Sequence, residues 1–170
     1  MSSSAIKTYW WIGAIIILII GIIWWGISSP SDYEELGEKI PIMGNNHISL
    51  SSPHEPYNSN PPTSGPHTGK DADWGAHQDE ISDEVAIHNL EHGGIWITYQ
   101  DKNDQDLKNK MEELARQYQS KILLSPRAKN DSPIALSAWG RLLKLSAFDE
   151  IKIKKFIRQY KNKGPEFIPD

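Results

Sequence analysis

The feature that most constrains this chain is an uncharged, strongly apolar run near its amino terminus. Residues 9–27 read YWWIGAIIILIIGIIWWGI, which is nineteen residues without a charged side chain. At about 1.5 Å rise per residue, a helix of that length crosses a hydrocarbon core of about 30 Å. The tryptophan pairs near both ends suit the two headgroup boundaries. The run therefore predicts a transmembrane helix over Tyr9–Ile27 that anchors the chain in a lipid bilayer.

The charges around this run predict its orientation. Lys7 precedes it, whereas Asp32, Glu34 and Glu35 follow it, so the positive-inside bias favours a cytoplasmic amino terminus in the cell membrane. This gives a cytoplasmic tail (1–8), a transmembrane helix (9–27), a stalk (28–39) and an extracytoplasmic globular domain (40–167). A cleaved signal peptide is the alternative, but its apolar region normally spans only about 7–15 residues and ends at small residues. An uncleaved, single-pass signal anchor is favoured.

Charge divides the rest of the chain into two halves. Residues 32–100 carry twelve acidic and two basic residues, whereas residues 101–170 carry ten acidic and fifteen basic residues. All six histidines fall in the acidic half, and the chain has no cysteine. Acidity concentrates cations, and imidazole is the commonest metal ligand in proteins. The absence of cysteine excludes disulfides and thiolate metal sites, and the net charge of −4 argues against nucleic acid as a partner. A simpler interpretation of this charge division is that one domain has two differently charged faces.

Apolar periodicity predicts the regular structure of the domain. Residues 40–83 are rich in Pro, Gly, Ser and Asn, which indicates loops. After them, β-branched and aromatic runs predict strands, and apolar residues at helical spacing predict helices. The predicted strands are Val85–Ile87, Ile95–Tyr99, Lys121–Ser125 and Ile134–Trp139, and the predicted helices are Asp104–Tyr118 and Asp149–Lys161. This order indicates an α/β or α+β fold in which helices pack on a small mixed sheet. The sequence pattern does not predict the order of the strands in the sheet.

The sharpest local motif is HNLEHGG at residues 88–94. On a helical turn, His88 and His92 stand four residues apart on one face, where both imidazoles can reach one metal ion. The string also fits H-x-x-E-H, the inverted signature of zinc proteases, with Glu91 as general base. A pattern with three fixed positions arises easily by chance, so a metal-dependent hydrolase is kept only as an alternative. In the simplest interpretation, one of the two histidines caps a turn and the other hydrogen-bonds to the backbone.

A second motif, PPTSGPH at residues 61–67, predicts a stiff loop. Its prolines fix φ, while Gly65 permits conformations that other residues resist. Such a loop loses little entropy on ordering and can hold His67 at a defined point. Linkers share this composition, but Trp74 shortly afterwards provides an aromatic anchor that favours an ordered loop.

Several motifs together resemble a bacterial family called "domain of unknown function 3105". They are Asn-Asn-His47, PPTSGPH at 61–67, Trp74-Gly75, HNLEHGG at 88–94, Ala138-Trp139-Gly140-Arg141 and Gly164-Pro165-Glu166. The resemblance covers about residues 40–167. It implies a single membrane-anchored domain with recurring histidines that match His47, His67, His88 and His92, and it brings no assigned activity. His54 and His77 lie outside these motifs.

We therefore expect a membrane-anchored domain that binds a copper or zinc ion through His47, His67, His88 and His92. Glu91 is a possible fifth ligand or an outer partner that orients a ring. Met43 is a candidate soft ligand for Cu(I), although a lone methionine more often packs. The main alternative is a metal-free interaction domain that docks another membrane or periplasmic protein. No nucleotide or esterase motif occurs, so the sequence favours a non-enzymatic role.

Overall fold

The computed structural model describes residues 3–28, 35–166 and 168, and the chain forms two compact units, Met1–Glu35 and Leu36–Asp170. The first contains helix α1 (Ser3–Ser28), along which the large apolar side chains that are described, such as Trp11 and Trp24, are exposed. Within the described part of the chain, no helix has both the length and the apolar character that crossing a membrane requires. The membrane span stays a prediction. Residues 29–34 of the predicted stalk lie outside the described residues.

The second unit is built on one six-stranded sheet. Its elements in chain order are β1 (Glu38–Lys39), β2 (Gly75–Ala76), α2 (Asp83–Glu91), β3 (Ile95–Tyr99), α3 (Gln105–Ala115), β4 (Ile122–Pro126), β5 (Ile134–Ala138), β6 (Arg141–Leu145) and α4 (Glu150–Tyr160). The strands lie in the order β1-β6-β5-β3-β4-β2. β4 pairs in parallel with both β3 and β2, whereas the remaining pairs are antiparallel. The expectation of a mixed α+β fold is confirmed, and β1 falls within the range predicted as stalk.

The two faces of the sheet bury different elements, because side chains alternate along each strand. On β3, Ile95, Ile97 and Tyr99 join the main core with α3 and α4. Trp96 points to the opposite face and packs with Leu90 of α2 in a second cluster. Helix α2 therefore lies on the face opposite to α3 and α4, together with loop residues that precede it.

The prediction of a strand at Val85–Ile87 is wrong, since these residues lie inside α2. Ser82 occupies the position before the helix, and Asp83 and Glu84 fill its first turn, where acidic side chains favour a helix start. Ala86 and Leu90, four residues apart, are then buried on one face. In this case tertiary packing outweighed the β-propensity of the Val-Ala-Ile sequence.

The other predicted elements are confirmed with shifts of up to three residues at their ends: the strands at 95, 121 and 134 and both helices. Strand β6 was not predicted. It follows β5 across a two-residue hairpin in which Ala138 pairs with Arg141 and Gly140 has a φ of +66°. A Trp-Gly turn between two apolar runs is a readable signal for such a hairpin.

Candidate metal centre

Helix α2 carries two of the candidate ligands in its last turns. His88 and Glu91 stand three residues apart and are both buried. Gly93 then ends the helical path with a φ of +79°, a conformation that side chains other than glycine resist. The chain passes directly into β3, so the position of α2 is tied to the centre of the sheet.

The PPTSGPH loop supplies His67, whose side chain is fully buried. Its Nδ1–H donates a hydrogen bond to the Gly65 carbonyl oxygen at 2.7 Å. Because a carbonyl oxygen only accepts, this bond places a proton on Nδ1 and directs Nε2 at Glu91. Gly65 has a φ of +123°, and the Tyr57 ring lies 3.0 Å from where its Cβ would be. The loop is therefore ordered, and its turn is closed by an aromatic side chain.

A backbone bridge brings His47 to the same place. His47 and His67 form an isolated parallel bridge, in which His67 N–H donates to Asn46 O at 3.0 Å and Ile48 N–H donates to His67 O at 2.7 Å. The His47 side chain remains 49% exposed. His47 therefore covers the solvent side of an otherwise buried group.

One carboxylate oxygen lies at the centre of this group. Glu91 Oε2 is 2.8 Å from His67 Nε2, 3.4 Å from His47 Nε2 and 3.5 Å from His88 Nδ1. The four ligand atoms all lie within 4.8 Å of one another. A tetrahedral zinc site with bonds of 2.0–2.1 Å has donor atoms about 3.3 Å apart. The three distances from Glu91 Oε2 are close to that value and the other separations are no more than 4.8 Å, so the cluster of His47, His67, His88 and Glu91 (the His3Glu cluster) could hold one metal ion.

The electrostatics of the cluster lower the pKa values of Glu91 and His88. Burial acts to raise the pKa of Glu91, but hydrogen bonds with His67 and His47 outweigh it, and the pKa lies below its usual value. Burial lowers the pKa of His88, as does the proximity of His92 and His67. Near neutral pH, Glu91 is therefore a carboxylate and His88 is a neutral imidazole. These are the protonation states that metal ligands require.

Two buried atoms of the cluster also lack hydrogen-bond partners. Among the described residues, neither Glu91 Oε1 nor His88 Nδ1 has one. A buried polar atom without a partner costs about 1–3 kcal/mol. His88 Nδ1 faces Glu91 Oε2. A metal ion between these two atoms would give His88 Nδ1 the partner that it lacks.

Among the described residues, the remaining histidines contribute no donor atom to this cluster. The Nε2 atom of His92 lies 3.3 Å from Glu166 Oε2, while its ring centroid lies 4.3 Å from that of His88. His92 is therefore a neighbour of the His3Glu cluster, and its four ligand atoms do not include one from His92. His54 Nε2 lies 3.7 Å from Glu84 Oε1, and the Nε2–H of His77 donates a hydrogen bond to the Asp73 carbonyl oxygen at 2.8 Å.

Two further residues have clear positions. Met43, considered as a soft ligand, accepts a hydrogen bond at Sδ from the Asn58 N–H at 3.2 Å. Glu166 was not among the expected ligands, although its Gly-Pro-Glu motif was noted. Nothing in the sequence pairs it with His92, since the two lie more than seventy residues apart.

Together these features define an α+β domain with a buried cluster of three histidines and one glutamate. The chain belongs to the family described as "Protein of unknown function (DUF3105)", which matches residues 50–168. The resemblance found in the sequence motifs is thereby confirmed. His67, His88 and Glu91 fall within the matched range, and His47 lies three residues before it. Comparisons with curated proteins and with solved structures found no match.

Proposed function

We propose that this protein is a membrane-anchored domain that binds one divalent zinc or copper ion through His47, His67, His88 and Glu91. The observation that carries the proposal is the 2.8 Å contact between His67 Nε2 and Glu91 Oε2. With its Nδ1–H bonded to Gly65, His67 directs Nε2 at a carboxylate oxygen. At that distance the two atoms share either a proton or a cation.

The donor set favours a divalent ion of borderline softness. Three imidazoles and one carboxylate suit Zn²⁺ and Cu²⁺, whereas Cu(I) prefers sulfur donors. The chain has no cysteine, and the Met43 sulfur is bonded to the Asn58 N–H. One negative ligand also offsets part of the charge of a divalent ion in a buried site.

The position of Glu91 weighs against the hydrolase alternative. In H-x-x-E-H enzymes the two histidines bind the metal and the glutamate acts as general base on a water. Here Glu91 Oε2 is surrounded by the nitrogens of His47, His67 and His88, and His92 is paired with Glu166. This arrangement supports our proposal that Glu91 is a ligand.

Metal content tests the proposal directly. The full chain, purified in a mild detergent without chelator or histidine tag, is expected to carry one zinc or copper ion, measured by elemental analysis. After stripping, free ion at 100 times Kd is expected to stabilise the folded state by about 2.7 kcal/mol. For a domain of this size that is a rise of about 10 °C in melting temperature.

Matched histidine variants make this test specific. His67→Asn is expected to lower the metal content about tenfold, from about one ion per chain to below about one tenth of an ion per chain. His54→Asn and His77→Asn are expected to retain it, since their imidazoles contact other groups. If the unmodified chain binds neither ion and its melting temperature does not respond, the metal-free interaction domain becomes the better account.

The membrane anchor is the second part of the proposal, and its support is the uncharged run Tyr9–Ile27 with tryptophan near both ends. We expect an alkaline phosphatase fused after Asp170 to be active, because that enzyme requires export. The matched control deletes residues 9–27 and is expected to abolish the activity. The anchor would be contradicted if, at the same position, only a reporter that works in the cytoplasm were active. A mature protein whose amino terminus begins near Ser31 would also contradict it.

A further inference from the structure

The segment that follows α4 is bound to the end of helix α2 through its backbone. Asn162 N–H donates to Gly93 O at 2.8 Å, and Glu166 N–H donates to Glu91 O at 3.1 Å. Gly164 lies so close to α2 that a Cβ would stand 2.0 Å from Glu91 O. The main chain of Glu166 is thus fixed against the main chain of a cluster residue.

This attachment directs the Glu166 carboxylate at His92. Glu166 Oε2 lies 3.3 Å from His92 Nε2; the side chain of Glu166 is 48% exposed and that of His92 only 10%. The spacing is again close to the donor separation of a tetrahedral ion. The His92 ring in turn touches the His88 ring, with centroids 4.3 Å apart. The pair therefore connects solvent with the His3Glu cluster through an imidazole and a carboxylate.

We propose that His92 and Glu166 form an outer cation position through which a divalent zinc or copper ion passes on its way to the His3Glu cluster. This inference rests on the proposed function. Two protein ligands hold a transition ion weakly compared with four, so an ion that has shed part of its hydration shell at His92 and Glu166 moves on readily to His88. The half-exposed carboxylate provides the first contact, and the buried imidazole provides the second.

A transit position has a kinetic signature that a structural role lacks. A group that acts only on the passage lowers the barrier in both directions, so its loss slows association and dissociation by the same factor. The dissociation constant, which is their ratio, then stays unchanged. A group that orients a ligand in the bound state instead changes the dissociation constant.

Stopped-flow mixing of Cu²⁺ with the stripped full chain measures these rates. Quenching of tryptophan fluorescence provides the signal, since the Trp139 ring lies 6.3 Å from the His67 ring. For Glu166→Gln we expect kon and koff to fall together by about tenfold, the effect of losing one charge-assisted contact. His92→Asn is expected to give the same loss, and the double variant no further loss, because both residues serve one step.

The chain offers a matched control for the lost charge. Glu84→Gln removes one carboxylate from the His54–Glu84 pair and is expected to leave both rates unchanged. Rates in Glu166→Gln that equal those of the unmodified chain would overturn the transit position. So would a weaker dissociation constant with an unchanged kon, which would place the pair in the bound site. If the unmodified chain binds no ion, the proposed function itself fails, so the two failures are distinguishable.

Discussion

Replacing Glu91 by glutamine is expected to abolish tight ion binding while leaving the stripped protein at least as stable as before. Structural zinc sites contribute about 10–16 kcal/mol over four ligands, so one ligand accounts for roughly 3 kcal/mol, or about a 100-fold loss of affinity. In the stripped protein, Glu91 is fully buried. A glutamine amide can hydrogen-bond with His67 Nε2 as donor or as acceptor, and the substitution removes a buried charge. Isothermal titration and thermal unfolding measure the two quantities.

The same variant separates the metal-binding and hydrolase accounts. As a general base, Glu91 could be replaced by glutamine without loss of the ion, so full metal content in Glu91→Gln would contradict its role as a ligand. Glu84→Gln is the control, because Glu84 lies on the same helix and faces His54. That variant is expected to keep both the ion and the rise in melting temperature that the ion causes.

Asp83→Asn is expected to be strongly destabilising although it lies outside the cluster. The Asp83 carboxylate accepts hydrogen bonds from Arg127 Nε at 3.0 Å and Nη2 at 3.1 Å, and Arg127 is 3% exposed. Breaking a buried pair by removing one partner leaves an uncompensated charge and costs about 3–5 kcal/mol. Unfolding of the stripped protein in urea measures the loss. The pair joins the first residue of α2 to the chain just after β4, so the variant also loosens the helix that carries His88.

An exposed ion pair provides the comparison. Asp131 contacts Lys144 Nζ at 2.7 Å, and both side chains are at least 40% exposed. Exposed pairs are worth about 0–1 kcal/mol, because solvent screens them and their side chains lose entropy. Asp131→Asn is thus expected to change stability by less than about 1 kcal/mol. A loss of similar size in Asp83→Asn would mean that the buried pair contributes little.

Local pattern predicted most of the regular structure, whereas two of the strands that it missed depend on packing between distant segments. Helices α3 and α4 begin at Asp104 and Asp149, whose carboxylates accept hydrogen bonds from the N–H groups of Leu107 and Lys152, a signal that can be read from sequence. Strands β1 and β2 have two residues each. They form only because β1 pairs with β6 and β2 pairs with β4. A run of two residues is too short to show the alternation that predicts a strand.

The sequence predicts only some of the residues that form the candidate site. His88 and Glu91 follow from one short motif on one helix. The contact of His47 with His67 depends on a bridge between segments twenty residues apart, which spacing alone does not predict. His92 was expected to face the ion with His88, yet its Nε2 faces Glu166. That outcome depends on where the chain after α4 returns, and such long-range packing leaves no mark in a local motif.

The backbone bridge between His47 and His67 has a consequence for which ions the proposed site would accept. Because two donors are joined through main-chain hydrogen bonds and two more share one helix, most of the ordering entropy is lost on folding and little remains for the ion to overcome. The same preorganisation means that the four donor atoms cannot easily rearrange to suit an ion that requires a different coordination geometry. Mg²⁺ demands near-octahedral oxygen coordination and Ca²⁺ six to eight oxygens, so we expect the cluster to bind both weakly, because of its shape as well as its donor types.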